Sequence, residues 1–122
     1  MTAAPKRNGS LRRLRKRAQF LSAAKGRRAG RTAFSLQAVT VEDAEPGLGL
    51  TVTKKVGNSP QRNRIKRRLR AAARACEARF QPQHDYVLVG RPEALTEPFA
   101  KVVSDLSSAI AKVHAAPRDA RT

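Results

Sequence analysis

The chain reads as an α+β domain in which helices pack on a small sheet. Three observations lead there. Residues 33–41, "AFSLQAVTV", alternate apolar and polar side chains as a strand does, whereas Ile65, Leu69, Ala72, Cys76 and Phe80 recur at helical spacing. The elements follow one another as helix, strands, long basic helix, strand, helix. A length of 122 residues with 40% hydrophobic content provides for one core and argues against wholesale disorder.

Each element has local reasons. Residues 1–9 read as a flexible basic tail, and Ser10 is placed to cap a helix running from Leu11 to about Ala24. Leu11, Leu14, Ala18 and Leu21 would share one face of that helix, with Phe20 at its margin and Gly26 at its stop. "GRRAGR" (26–31) reads as a basic loop. In the strand at 33–41, Phe34, Leu36 and Ala38 share a face, with Thr40 at its end. "EDAEPG" is a turn, and "LGLTVT" (48–53) is a second strand in which Gly49 marks a close backbone approach or a bulge. In "GNSP", Asn58 or Ser59 can cap the next helix and Pro60 suits its first turn. That helix is predicted to reach about Phe80. "PQHD" is a loop, "YVLVG" (86–90) a short buried strand, and Glu97 to His114 a final helix with Phe99, Val102, Val103, Leu106, Ile110 and Val113 inward. Residues 115–122 read as a frayed tail, leaving 10–114 as the domain.

Charge sets the expected partner. The formal net charge is +17 and the pI about 11.7. Nineteen of the 26 Lys and Arg residues fall in residues 1–70, against three of the nine acids, so one half of the chain faces a polyanion and the other supplies scaffold. No apolar run approaches the ~20 residues of a membrane span, and no apolar stretch follows the basic N-terminus as a secretory signal requires. The single cysteine excludes an internal disulfide framework and fits a reducing cytoplasm.

The densest stretch is "KKVGNSPQRNRIKRRLR" (54–70), with eight Lys or Arg and no acid. On a helix, Asn63, Lys66, Arg67 and Arg70 fall opposite the apolar stripe, flanked by Arg64 and Arg68. Such a face attracts phosphates without reading sequence. Asn63 adds a group that both donates and accepts hydrogen bonds, suited to a base edge or a sugar hydroxyl. A merely solubilising face would intersperse acids, and none is present. Catalytic chemistry is sparse by contrast. His84 and His114 lack metal-ligand spacing and read as surface or loop residues. Cys76 reads as packing, the acids form no recognisable catalytic pair, and "KKVGN" is not a phosphate-binding P-loop. From the residues alone the chain is an RNA- or DNA-binding domain without independent catalysis.

The words of this stretch go further. "TVTKKVGNSPQRNRIKRRLR" resembles the signature of the bacterial ribonuclease P protein component: a strand ending in Lys54 and Lys55, a Gly57-Asn58 turn, then a helix opening Arg62-Asn63-Arg64 and continuing Ile65-Lys66-Arg67, with Leu69 and Arg70 beyond. "LRKRAQF", ending at Phe20, is similar to the family's first helix, and "DYVLVGRP" to its last strand. The resemblance covers roughly residues 10–114.

It implies a compact α-β-β-β-α-β-α sandwich of a ribosomal-protein-like kind, with a left-handed βαβ crossover against the usual preference. It implies a ribonucleoprotein that removes the 5′ leader of precursor tRNA, whose catalytic RNA subunit does the chemistry with magnesium ions bound mainly by RNA and substrate. The protein alone would be inert. Lys54, Lys55, Arg62, Asn63, Arg64, Lys66, Arg67, Arg68 and Arg70 would bind RNA, and Phe20, Gln37 and Phe34 would line a leader cleft between the first helix and the sheet, although the alternation of Phe34 favours the core, and a flanking core role is the lesser alternative for Phe20. Two departures stand out. Many members carry aromatics where this chain has Ala24 and Gln37. Among rival readings, a ribosomal or RNA-chaperone protein would be equally basic. A DNA-binding module lacks the helix-turn-helix pair, because a strand precedes the basic helix, and a nuclease acting alone lacks a metal or acid–base constellation.

Overall fold

Five strands form one mixed sheet: β1 (Arg12–Arg13), β2 (Arg27–Gly30), β3 (Phe34–Thr40), β4 (Gly47–Thr51) and β5 (His84–Gly90), side by side in the order β1-β4-β5-β3-β2. The computed structural model describes residues 11–115; the expected basic tail, the Ser10 cap and the tail beyond residue 115 lie outside them. β1, β4 and β5 run parallel, and β3 is antiparallel to both β5 and β2. Three helices complete the fold: α1 (Arg17–Ala24), α2 (Ser59–Ala75) and α3 (Phe99–His114). Apart from the two-residue β1, the order is the α-β-β-β-α-β-α expected, and α2 links the parallel neighbours β4 and β5.

The pleat divides the sheet into two faces. Phe34, Leu36 and Ala38 of β3 and Tyr86 and Leu88 of β5 belong to the main core with α2 and α3, and Phe34, Leu36, Tyr86 and Leu88 are each 0% exposed. From α2 come Ile65, Leu69, Ala72 and Ala73, with Cys76 and Phe80 just beyond its end, as the stripe predicts; from α3 come Val102, Leu106, Ala109, Ile110 and Val113. Each fully buried Leu, Ile or Phe contributes about 1.5–3 kcal/mol. The opposite face carries a smaller cluster in which Leu14, Ala23 and Val87 pack with Phe20, Val39 and Val89.

The structure corrects several expectations. Residues 11–16 are not helical. Leu11 and Leu14 were expected on one helix face, but in extended chain an odd separation sends them to opposite sides. Leu11 packs on the main core and Leu14 on the smaller cluster. The helix begins only at Arg17, with Lys16 at its N-cap position and Gln19 reaching back to accept from the Lys16 N–H at 2.9 Å. Its inward residues are Phe20 and Ala23; Ala18 and Leu21 face out, Leu21 being 52% exposed. The "GRRAGR" segment contains strand β2, whose Ala29 is buried beside Leu36. α2 ends at Ala75 rather than near Phe80, and a short 3-10 turn (Glu77–Arg79) follows. Thr40 is exposed, and Phe99, expected inward, is 41% exposed.

Candidate nucleic-acid interface

The basic helix is set by its start. Asn58 caps α2, its side chain accepting from the Gln61 N–H at 2.9 Å while Gln61 Oε1 accepts from the Asn58 N–H at 2.9 Å. Pro60 stands in the first turn. With the start fixed and the apolar stripe docked on the sheet, the angular position of every cation on α2 follows.

Asn63, Arg64, Lys66, Arg67 and Arg70 line one groove of about 980 Å³, joined by Arg74 from the last turn. Its far wall is β1 and the start of α1, through Leu11, Arg13, Leu14 and Phe20, and its floor is β4 at Leu48 and Gly49. The lining holds seven cations and one carboxylate, that of Glu77. A polyanion entering it replaces this like-charge crowding with attraction.

A second depression of about 510 Å³ adjoins it on the α1 face of the sheet, lined by Phe20, Gln37, Val87 and Val89 with Arg15 and Arg17 at its rim. Phe20 lines both depressions. Gln37 lies opposite Val87 on β5 and opposite Arg28 on β2. Ala24 also lines this cleft. The two positions at which the chain departs from the expected aromatics therefore share one hollow with Phe20, leaving that ring as the aromatic of its lining.

Other expected site residues lie elsewhere. Phe34 is 0% exposed in the main core, on the face turned away from the cleft, because it has the opposite strand parity from Gln37. Arg68 points to the far side of α2, where its Nε donates to the Ala94 carbonyl at 2.8 Å, a second nitrogen donates to the Glu97 carbonyl, and its guanidinium lies 6.0 Å from the Phe99 ring centroid. Arg62 folds back on its own helix start, donating to the Gly57 carbonyl at 2.7 Å and to Ser59 Oγ at 3.0 Å. Lys54 and Lys55 are exposed on a 3-10 turn (Lys54–Val56) that follows β4 rather than closing it, outside the groove lining.

Cys76 and His114 serve the structure rather than the groove. Burial pushes the Cys76 thiol up to about 11, with Arg79 opposing, so it is an inert packing group. His114, expected on the surface, is half-buried and bonded: its Nε2 lies 2.6 Å from Tyr86 Oη, and its ring meets that of His84 edge-on at 4.5 Å. Among the described residues no group of three or more His, Cys, Asp or Glu could hold a metal ion, and the groove's donors are overwhelmingly cationic. This donor set does not fit a protein-held magnesium ion. Among the same residues, no helix is long and apolar enough to cross a membrane.

Fold and groove together define a class: a small α+β domain built around a densely cationic helix, with an aromatic-bearing cleft beside it. Comparison with known proteins narrows the class. The family model described as Ribonuclease P matches residues 9–114. The ribonuclease P protein component of Ruegeria pomeroyi is 45% identical over 107 residues, covering 84% of this chain and 86% of that protein. That of Gluconacetobacter diazotrophicus is 45% identical over 104 residues, covering 82% and 89%. Among solved structures, the ribonuclease P protein of Staphylococcus aureus superposes with a TM-score of 0.71 at 24% identity, covering 84% of this chain and 94% of that one. That of Thermotoga maritima gives 0.68 at 25% identity, covering 79% and 92%. The chain belongs to the ribonuclease P protein family, whose members are the protein part of a tRNA-processing ribonucleoprotein.

Proposed function

We propose that this chain is the protein subunit of ribonuclease P, and that it holds the catalytic RNA subunit and the precursor tRNA leader side by side. The observation that carries this reading is the position of Phe20, whose ring lines both the cationic groove and the sheet cleft. The groove offers phosphate contacts from Arg64, Lys66, Arg67 and Arg70 and a hydrogen-bonding group in Asn63. The cleft offers a ring for a base to stack on, the Gln37 amide for a base edge or a sugar hydroxyl, and cations at the rim for the leader backbone.

Hydrolysis of the phosphodiester is assigned to the RNA subunit, with the magnesium ions bound by RNA and substrate. The protein contributes binding and orientation, which lower the barrier by holding the reacting groups in place. We place this activity in the cytoplasm. The test is a cleavage assay with precursor tRNA and magnesium. RNA-free protein should leave the substrate intact, and adding the RNA subunit should give 5′-end processing at lower magnesium than the RNA alone requires. Processing by the RNA-free protein, or no effect of the protein on the RNA, would overturn the reading.

A further inference from the structure

Asp85 is 4% exposed, and no other charged side chain among the described residues is buried to that degree. Its Oδ1 accepts a hydrogen bond from Arg12 Nη2 at 2.6 Å. Arg12 Nε in turn donates to the Glu45 carbonyl at 2.7 Å and lies 3.2 Å from Asp43 Oδ1. One arginine thus ties the buried carboxylate of β5 to the turn before β4.

Arg12 is half of strand β1. Two residues are fewer than a strand ordinarily needs to hold its place on a sheet. The backbone bonds joining this segment to its neighbour include Arg12 N–H to the Pro46 carbonyl at 2.8 Å and Leu14 N–H to the Leu48 carbonyl at 3.1 Å. Gly47 leaves room for the side-chain anchor. A Cβ there would fall 2.5 Å from Asp85 Oδ1 and 3.1 Å from Arg12 Nη2.

Strand parity decides what the anchor presents. Arg12 and Leu14 point to the α1 face, so Arg13 points with Leu11 to the other side, where α2 stands. Arg13 lines the cationic groove and, among the described residues, forms no ion pair. We propose that Asp85 is a positioning residue for RNA binding: acting through Arg12, it fixes β1 on the sheet edge and so sets Arg13 opposite the α2 cations as the second wall of the groove. The inference rests on the reading of the groove as the RNA site. Asp85 is not part of the groove lining and works by holding the strand.

The experiment uses the full chain and the labelled RNA subunit, with Asp85→Asn and Gly47→Ala as variants. The first weakens the charge-assisted bond while keeping volume; the second crowds the same contact, together with Leu14 Cδ2 at 2.7 Å, without changing any charge. Each should speed amide exchange at Arg12 and Leu14 while the β3 and β5 amides keep their protection. Each should also lower the logarithmic salt slope of RNA binding by about 0.7–0.9, one phosphate contact. Arg13→Ala should weaken binding about fivefold in the wild-type background and less than twofold in either variant. If Asp85→Asn fails to fold, Gly47→Ala carries the same test. Exchange that rises over the whole sheet, or an Arg13→Ala penalty that is equal in all backgrounds, would overturn the inference. Should Arg67→Ala/Arg70→Ala also bind as wild type does, the groove itself is misassigned and the inference falls with it.

Discussion

The ring of Phe20 lies against the backbone of Gly49: a Cβ placed on that glycine would stand 2.7 Å from both Cε2 and Cζ of the ring. The absence of a side chain at Gly49 therefore sets the height of the aromatic above the sheet. Gly49→Ala should tilt Phe20 out of its seat, and Phe20→Ala should remove the stacking surface altogether. In both variants we expect the holoenzyme to lose about 1–2 kcal/mol of affinity for precursor tRNA, a base–aromatic stacking contribution. Affinity for mature tRNA, which lacks the leader, should hardly change. Equal losses for substrate and product would return Phe20 to a purely packing role.

Arg67 and Arg70 point into the groove, away from the Ile65–Leu69 stripe. Arg67→Ala with Arg70→Ala should leave thermal unfolding nearly unchanged while lowering the salt slope of RNA binding by about 1.4–1.8, two contacts. Titrating RNA affinity between low and moderate salt measures this directly, and a slope identical to wild type would remove both residues from the site.

Arg68 is expected to behave in the reverse way. Its guanidinium is occupied by the carbonyls of Ala94 and Glu97, which hold the 3-10 turn Pro92–Leu95 and the start of α3 against α2. Arg68→Ala should cost about 1–2 kcal/mol in urea unfolding, since two carbonyls lose a charged donor. RNA affinity should fall much less than it does for Arg67→Ala.

Acid should weaken the contact between α3 and the sheet. The Gln81 N–H donates to Tyr86 Oη at 2.9 Å, leaving the phenolic proton for His114 Nε2. Burial, then His84, then Arg27 lower the His114 pKa from its ordinary value near 6.5. Its folded pKa thus lies below its unfolded one, so the unfolded chain takes up the proton first. Stability is fully present above about pH 6.5 and is lost as pH falls through the folded pKa. Melting temperature followed from pH 8 to pH 5 should show this decline, and His114→Gln should flatten it.

The sequence made the α2 side of the molecule legible and left the α1 side obscure, for a physical reason. Ile65, Leu69 and Ala72 repeat along α2 and the spacing runs on to Cys76 and Phe80 just past its end, long enough for periodicity to identify both the helix and its buried face, and hence the opposing cations. At the N-terminus, Leu11 and Leu14 are three apart, a spacing that a helix and an extended strand both accommodate. The choice between them is made by Pro46, Leu48 and Asp85, far along the chain. The short strand β2 was hidden because Arg27, Arg28 and Gly30 are exposed on an edge, leaving Ala29 alone to mark a buried side. The destinations of Arg62 and Arg68 were also out of reach, since both depend on backbone carbonyls whose positions no side-chain pattern encodes. Gln37 and Ala24 were recognised as departures from an aromatic pattern, but only the cleft shows that they meet around Phe20.

The alternation along β3 carries an evolutionary consequence. Phe34, Leu36 and Ala38 hold the main core, while Gln37 faces the cleft between them in sequence and across the sheet from them in space. Neighbouring codons therefore answer to separate constraints, one on the buried core and the next on a surface cleft. A substitution at position 37, or at position 24, reshapes the cleft without touching the buried residues of the scaffold. On the proposed reading of the cleft, the sheet allows leader recognition to vary while the interior stays still.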